Sequence, residues 1–419
     1  METAVQEGRT RRRLRLAVRC LALAAAVALA WPFLPGASPT VVLPAVSPYV
    51  GMLSVLALRS LTVLSLVCLP TLLLCLFSPR WFCRYACPVG LLQELLGRLH
   101  PSAAARWRRL PSLGQWALLL AFGGACLGYP FLLWLDPLAM AGAFVSALRQ
   151  PLCAATVVAG LGLPLVLLLA FLLPNAWCLR LCPLGATQEL LAAVRSSLRR
   201  QPADGSATQA DVSALPPRRA VLGAGLGALV ALGLRKLVAR SRPLRPPGAA
   251  GEQTFTGLCV RCGNCARACP AKIIHHDMGA SGVAGFMAPV VRFENDYCRE
   301  DCNACGQVCP SGAVARLSLA RKRACVMGLA TVDLDTCLMA NGRDCSACIT
   351  QCPYDAVARQ DADDGFSSFP IVDRRKCTGC GACEVACPVR PLRAVVVHRE
   401  PATTAAGRTL SPAPLSLAP

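Results

Sequence analysis

Four cysteine runs after residue 258 constrain this 419-residue chain more than any other feature, because each closes on a cysteine followed by proline. Cys259, Cys262, Cys265 and Cys269 read C-x2-C-x2-C-x3-C-P, and Cys377, Cys380, Cys383 and Cys387 repeat it unchanged. Cys298, Cys302, Cys305 and Cys309 lengthen the first gap to three residues, and Cys337, Cys345, Cys348 and Cys352 lengthen it to seven. Three thiolates on one tight loop hold three corners of a cubane, and in two-cluster ferredoxins the fourth cysteine ligates the other cluster. Exchange of the fourth cysteine within each pair of runs gives four sets: Cys259, Cys262, Cys265 and Cys309; Cys298, Cys302, Cys305 and Cys269; Cys337, Cys345, Cys348 and Cys387; Cys377, Cys380, Cys383 and Cys352. The distances from Cys259 to Cys309 and from Cys337 to Cys387 are both fifty positions. The pattern predicts two consecutive two-cluster ferredoxin units, 250–315 and 325–398, and four [4Fe–4S] clusters.

Zinc and disulfides are the competing readings. Tetrahedral zinc sites also use paired C-x2-C, but they rarely need a third cysteine two residues on and have no use for the proline. Cysteines two residues apart on a loop pair poorly with each other.

The other end of the chain is apolar. Over the whole sequence 54% of residues are hydrophobic and the mean hydropathy is +0.48, with the excess before residue 240. Stretches at about 17–35, 60–77, 113–135 and 152–174 approach the roughly 20 residues that a bilayer requires. The expected architecture is a membrane α-helical bundle, 1–195, followed by an α+β ferredoxin-like polyferredoxin domain, with a linker at 196–217 and a disordered tail at 399–419. Six arginines lie in the first 19 residues, six between Arg80 and Arg109 and six between Arg180 and Arg219, whereas the intervening loops hold only Arg59 and Arg149. By the positive-inside rule the amino terminus and the loops after spans two and four are cytoplasmic. The net charge of +20 is then largely topology signal and lipid contact. No aromatic-rich basic groove accompanies it, which argues against nucleic acid as a partner.

A fifth apolar segment, Ala220–Leu234, follows Arg218 and Arg219, and 218–240 as a whole looks like a twin-arginine export signal or anchor. Export would place the ferredoxin domain in the periplasm beside a bacterial inner membrane. Arg235, Lys236, Arg240, Arg242 and Arg245 beyond it favour the alternative, a peripheral helix that leaves the domain inside.

A second motif occurs twice. Cys83-Arg84-Tyr85-Ala86-Cys87-Pro88-Val89-Gly90 and Cys178-Leu179-Arg180-Leu181-Cys182-Pro183-Leu184-Gly185 are both C-x3-C-P-x-G, each following an apolar span and preceding a glutamine–glutamate pair, Gln93-Glu94 and Gln188-Glu189. The apolar part is thus a duplication of hairpins. It places four cysteines at one membrane face, where they ligate a further metal or cluster, cycle between dithiol and disulfide, or pack. Cys20, Cys68, Cys75, Cys126, Cys153 and Cys325 read as structural, buried thiols.

Residues 60–195 resemble the NapH family of membrane ferredoxin-type proteins, through the duplicated C-x3-C-P motif and Trp134-Leu135-Asp136-Pro137-Leu138. Residues 216–398 resemble the NapG/MauM family, through the twin arginine, Arg245-Pro246-Pro247-Gly248-Ala249, Cys259-Val260-Arg261-Cys262-Gly263, Cys309-Pro310-Ser311-Gly312-Ala313, Met327-Gly328-Leu329-Ala330 and Cys377-Thr378-Gly379-Cys380-Gly381. The resemblance implies a fused module that takes electrons from the membrane quinol pool and passes them to a periplasmic cytochrome or reductase, as in periplasmic nitrate reductase systems. NapH-type proteins usually carry a further two-cluster ferredoxin after the fourth span, and here a short polar linker stands instead. Related proteins also serve methylamine oxidation and the assembly of metalloenzymes, so an assembly factor is the second function class. The appended four-cluster unit favours transfer, because a long cluster chain is wiring.

The absence of C-x-x-C-H argues against covalent haem, and the absence of G-x-G-x-x-G or a P-loop after a strand argues against nicotinamide or ATP. Clustered carboxylates for acid–base catalysis are also missing. Asp136 is read as a quinol contact or as a helix cap. His275 and His276 are read as surface loop or as hydrogen-bonding neighbours of the first cluster. Val290–Arg292 and Val395–Val397 are expected to be edge strands.

Overall fold

A computed structural model describes residues 2–30, 41–97, 111–148, 150–151, 153–199, 217–238, 243–362 and 368–399. The expected linker, 196–217, is shorter than read, because 196–199 continue the helix Pro183–Arg199 and Pro217 opens the next one; its remainder, 200–216, the tail from 400 to 419, Arg149, Arg240 and Arg242 lie outside the described residues. The chain divides into two compact units, one built on 1–236 with 256–264 and 310–312, the other on 237–255, 265–309 and 313–419.

The first unit is helical. It comprises α1 (Glu2–Ala30), α2 (Val42–Ala45), α3 (Pro48–Leu58), α4 (Val63–Leu66), α5 (Leu69–Phe77), α6 (Trp81–Tyr85), α7 (Pro88–Gly97), α8 (Leu113–Cys126), α9 (Pro137–Ala147), α10 (Ala154–Gly160), α11 (Gly162–Leu172), α12 (Pro183–Arg199) and α13 (Pro217–Val238). Among the described residues no single helix is long and apolar enough to cross a membrane, although α10 and α11, bent by 43°, are so together. The stretch expected as one span at 60–77 is two helices. Thr62 and Ser65 close a reciprocal capping box at α4, and Pro70, lacking an N–H, stands in the first turn of α5. The stretch at 113–135 is α-helical only to Cys126, with a 3-10 turn at Leu133–Leu135, and α3 and α9 are apolar helices where the four-span reading had loops. Cys68 and Cys75 are buried as expected, whereas Cys20, Cys126 and Cys153 are exposed.

The segment read as Ala220–Leu234 is part of the longer α13, which starts at Pro217, ahead of both arginines. It lies parallel to α8 at glycine contacts: a Cβ on Gly227 would stand 2.3 Å from the Leu120 carbonyl oxygen, and one on Gly123 would stand 1.9 Å from that of Ala224. Only glycine permits backbones this close. Arg235 Nη1 then donates to the Leu127 carbonyl at 2.8 Å, satisfying the carboxyl end of α8.

The second unit is short helices and paired strands. It holds β1 (Ile274–His276), β2 (Pro289–Val291), β3 (Leu329–Val332), β4 (Val357–Asp361), β5 (Ser368–Val372) and β6 (Val395–His398). β1 pairs with β2, β3 with β6 and β4 with β5, all antiparallel. β3 and β6 bracket the third and fourth cysteine runs; a single bridge, Ala249–Val314, brackets the first and second in the same way. Two ferredoxin-like repeats are therefore present. The strand expected at 290–292 is 289–291, and the one at 395–397 extends to His398.

Asp136 caps α9. Its Oδ2 accepts from the N–H groups of Leu138 and Ala139 at 3.1 and 3.0 Å, its Oδ1 accepts from Ser47 Oγ at 2.8 Å, and the residue is fully buried. Replacing it by alanine removes the cap and orphans the serine, so Asp136→Ala should lower stability by about 1–3 kcal/mol. A Tm unchanged from wild type would contradict that accounting.

Candidate metal centres

In all four runs the third cysteine lies in a short helix and the fourth follows it. Those helices are Asn264–Ala268, Ala304–Gln307, Ala347–Thr350 and Ala382–Ala386, and Cys269, Cys309, Cys352 and Cys387 come just beyond them. The proline after each fourth cysteine cannot continue a helix, which sends the chain and the thiol away from the loop. Runs one and four make the loop turn with Gly263 and Gly381, both at positive φ, +70° and +85°. A Cβ on Gly381 would also meet the Phe293 ring at 2.4 Å.

The thiols group by neighbourhood. Burial, and then Cys298, Cys269 and Cys302 around it, push the Cys305 thiol well up. Burial, then Cys337, Cys345 and Cys387, raise Cys348 to about 11. Burial, then Cys380, Cys377 and Cys352, raise Cys383 strongly, with Cys348 a further contributor. In each of these three groups the fourth cysteine of the neighbouring run stands with the first three of another. Cys352, Cys377, Cys380 and Cys383 also line one cavity, with Tyr354 and Thr378. In the first set Cys262 is buried and Cys259, Cys265 and Cys309 are half-buried. Cys259 and Cys262 fall in the first unit and Cys265 and Cys309 in the second, so the grouping of this set rests on the repeat alone.

Backbone N–H groups reach several of these sulfurs. Val314 N donates to Cys309 Sγ and Ala356 N to Cys352 Sγ, both at 3.3 Å. Such bonds favour the thiolate, as does a bound cation, while burial alone opposes it. Among the described residues no three Cys, His, Asp or Glu side chains converge on one point as a single metal ion would need. A cubane instead takes one thiolate at each corner, and the residues fit it. Iron and sulfide would give these loops a one-electron carrier.

The duplicated motif forms a fifth thiol group in the first unit. Cys87 and Cys182 are buried, and Cys83 and Cys178 are half-buried. Burial first, and then the other cysteines of the group, raise all four thiols. Pro88 and Pro183 start α7 and α12, so Cys87 and Cys182 stand at helix N-termini. There Val89 and Gly90 donate N–H groups to Cys87, and Gly185 donates one to Cys182. The glycine of the motif packs tightly on the preceding loop, since a Cβ would stand 3.1 Å from the Cys83 carbonyl at Gly90 and 3.0 Å from that of Cys178 at Gly185. The repeats brace each other across this group. Gln188 Nε2 donates to Cys83 Sγ at 3.0 Å while its Oε1 accepts from Phe82 N at 3.2 Å, and Arg80 pairs with Glu189. Arg19 pairs with Glu94, and Arg19 and Arg80 both favour the Cys178 thiolate. Gln93, counterpart of Gln188, is buried with Oε1 unpartnered among the described residues.

The histidines depart from the surface-loop reading. His275 and His276 lie in β1, and His276 is buried with Nδ1 3.4 Å from the Met287 carbonyl oxygen; burial lowers its pKa.

Ferredoxin-type folding around repeated four-cysteine loops defines an iron–sulfur electron-transfer protein. Family models agree: a 4Fe-4S dicluster domain matches 258–313, a 4Fe-4S binding domain matches 60–109 and again 155–201, and another 4Fe-4S binding domain matches 370–393. The twofold match at 60–109 and 155–201 contains both C-x3-C-P motifs. The chain is 40% identical to ferredoxin-type protein NapG of Escherichia coli over 179 residues, 39% of this chain and 75% of that protein. It is 34% identical to the methylamine utilization ferredoxin-type protein MauM of Methylophilus methylotrophus over 181 residues, 39% of this chain and 77% of that protein. MauM of Methylorubrum extorquens is 34% identical over 201 residues, 44% of this chain and 90% of that protein. No solved structure matches. The chain belongs to the NapG/MauM family of ferredoxin-type proteins.

Proposed function

We propose that this protein is membrane-bound, oxidises quinol at its helical unit, as the NapH resemblance of 60–195 implies, and passes the electrons through four [4Fe–4S] clusters to a periplasmic cytochrome or reductase. The ligand sets are those read from the spacing, with a fifth cluster held by Cys83, Cys87, Cys178 and Cys182. The observation that carries the reading is continuity: Cys87, Cys182 and Cys262 belong to one packed core in the first unit, so the fifth thiol group and the first ferredoxin run are joined by close-packed protein. Outward-facing apolar side chains on α11 and α13, such as Leu165 at 57%, Leu172 at 58%, Val221 at 72% and Leu229 at 67% exposure, support a lipid setting.

Topology has its own support. The arginine-rich segment 80–109 precedes α8, and α13 runs parallel to α8. With that segment cytoplasmic, α13 leads outward and delivers the ferredoxin repeats to the periplasmic side. Alkaline phosphatase fused after residue 399 should therefore be active, and inactivity would place the ferredoxin units inside.

The decisive experiment is iron and acid-labile sulfide per chain on anaerobically purified protein, with EPR after addition of a quinol analogue. About twenty irons and reduced-cluster signals on quinol addition are expected. Full loading without reduction by quinol would move the donor to another protein and defeat the quinol part of the proposal.

A further inference from the structure

The two ferredoxin repeats meet at the second and fourth runs, where Cys298 N–H donates to the Cys380 carbonyl at 2.9 Å. Beside this contact stands a single helical turn, Leu319–Arg323, capped by Ser318 Oγ, which accepts from Arg321 N at 3.3 Å. Arg321 and Arg323 point to solvent as a charge run should. Lys322 does not: it is 3% exposed.

Its ammonium group donates to the Arg299 carbonyl and to the Cys298 sulfur, and its charge acts on Cys298 and Cys380 alike. Among the described residues no carboxylate forms an ion pair with it. A buried cation needs compensation, and one carbonyl dipole supplies little of it. Two cubanes ligated by Cys298 and Cys380 would carry negative charge that grows on reduction. The pairing is therefore strongest in the reduced state, and hydrogen bonds to sulfur and net charge are what set cluster potentials.

We propose that Lys322 is a positioning residue for electron transfer, a potential-setting cation shared by the second and fourth clusters that keeps both reducible at the junction. One electron leaves the reduced second cluster and reduces the fourth, with no bond made or broken. The proposal rests on the ligand sets of the proposed function.

The test is potentiometric EPR on the whole chain, with iron and sulfide measured on the same samples. Lys322→Met should lower the midpoints of two clusters and leave the others in place. At the wild-type midpoint their reduced-to-oxidised ratio should fall about tenfold, equivalent to about 59 mV for a one-electron couple. Lys322→Arg, which keeps charge and donors, should restore them. Full iron with unchanged midpoints in Lys322→Met overturns the proposal. If that variant loses iron, Lys322→Gln carries the test, since it keeps a neutral donor: a smaller downward shift supports the proposal and wild-type midpoints overturn it. The wild-type protein gives an independent reading, because two neighbouring reduced clusters should show spin–spin splitting, and its absence overturns the junction. A wild-type protein without ferredoxin iron would sink the ligand sets themselves, a failure that iron analysis separates from the others.

Discussion

Chelating the iron from this protein should unfold residues 243–399 and leave the helices between 41 and 199 in place. The longest strands in that second part have five residues, and the helices there have at most seven. Elements this short form no stable structure alone. One of its packed cores consists of Cys337, Met339, Cys387 and Ala394, so half of it is thiol. Where a core is made of metal ligands, metal binding is folding free energy, of order 10 kcal/mol in small structural sites. Circular dichroism should keep the helical signal while the second part becomes protease-sensitive. A second part that stays protected after complete iron loss would show that its apolar core suffices, and the ligand reading would lose its main physical support.

Removing one thiol from the fifth group should be as selective. Cys182→Ala is expected to lower iron from about twenty to about sixteen atoms per chain and to abolish reduction of the remaining clusters by quinol, while dithionite still reduces them. Gln188→Ala tests the brace between the repeats. The glutamine holds Cys83 from the other hairpin, and loss of such a hydrogen-bonding neighbour commonly weakens metal binding about 10–100-fold. Cys182→Ala protein that retains both full iron and quinol reduction would return these cysteines to a packing role.

The glutamine–glutamate pairs show how far a sequence can be read. Their repetition beside each C-x3-C-P marks them as part of one unit, but Gln188 acts on the other repeat, and no linear pattern encodes which repeat a side chain reaches. The depth of the four thiols escapes the sequence for the same reason. Arginine counts place their segments near one face, whereas α7 and α12 fold inward and bury Cys87 and Cys182. Helix boundaries escape it too: Pro70, Pro164 and the Thr62 cap stand at breaks within stretches that hydropathy sums as continuous.

Asp136 and His276 are ambiguous in the sequence because one residue type serves two ends. An Asp before proline is a cap or a ligand contact until its hydrogen bonds are seen, and the structure assigns both oxygens to capping and Ser47. Lys322 carries no signal at all. Within Leu-Ala-Arg-Lys-Arg it looks like its neighbours, and only the packing of its helical turn against the Cys298 loop turns it inward.

Sequence by itself determined the chemistry of the cysteine runs, because cubane ligation demands fixed spacing along the chain and the proline that ends each run acts within a few residues. It determined the duplication of the hairpins for the same reason. Tertiary structure alone decided which repeat Gln188 reaches, which face of α13 meets α8 and which lysine is buried. Those are relations between segments far apart in the chain, set by close packing rather than by local backbone preference.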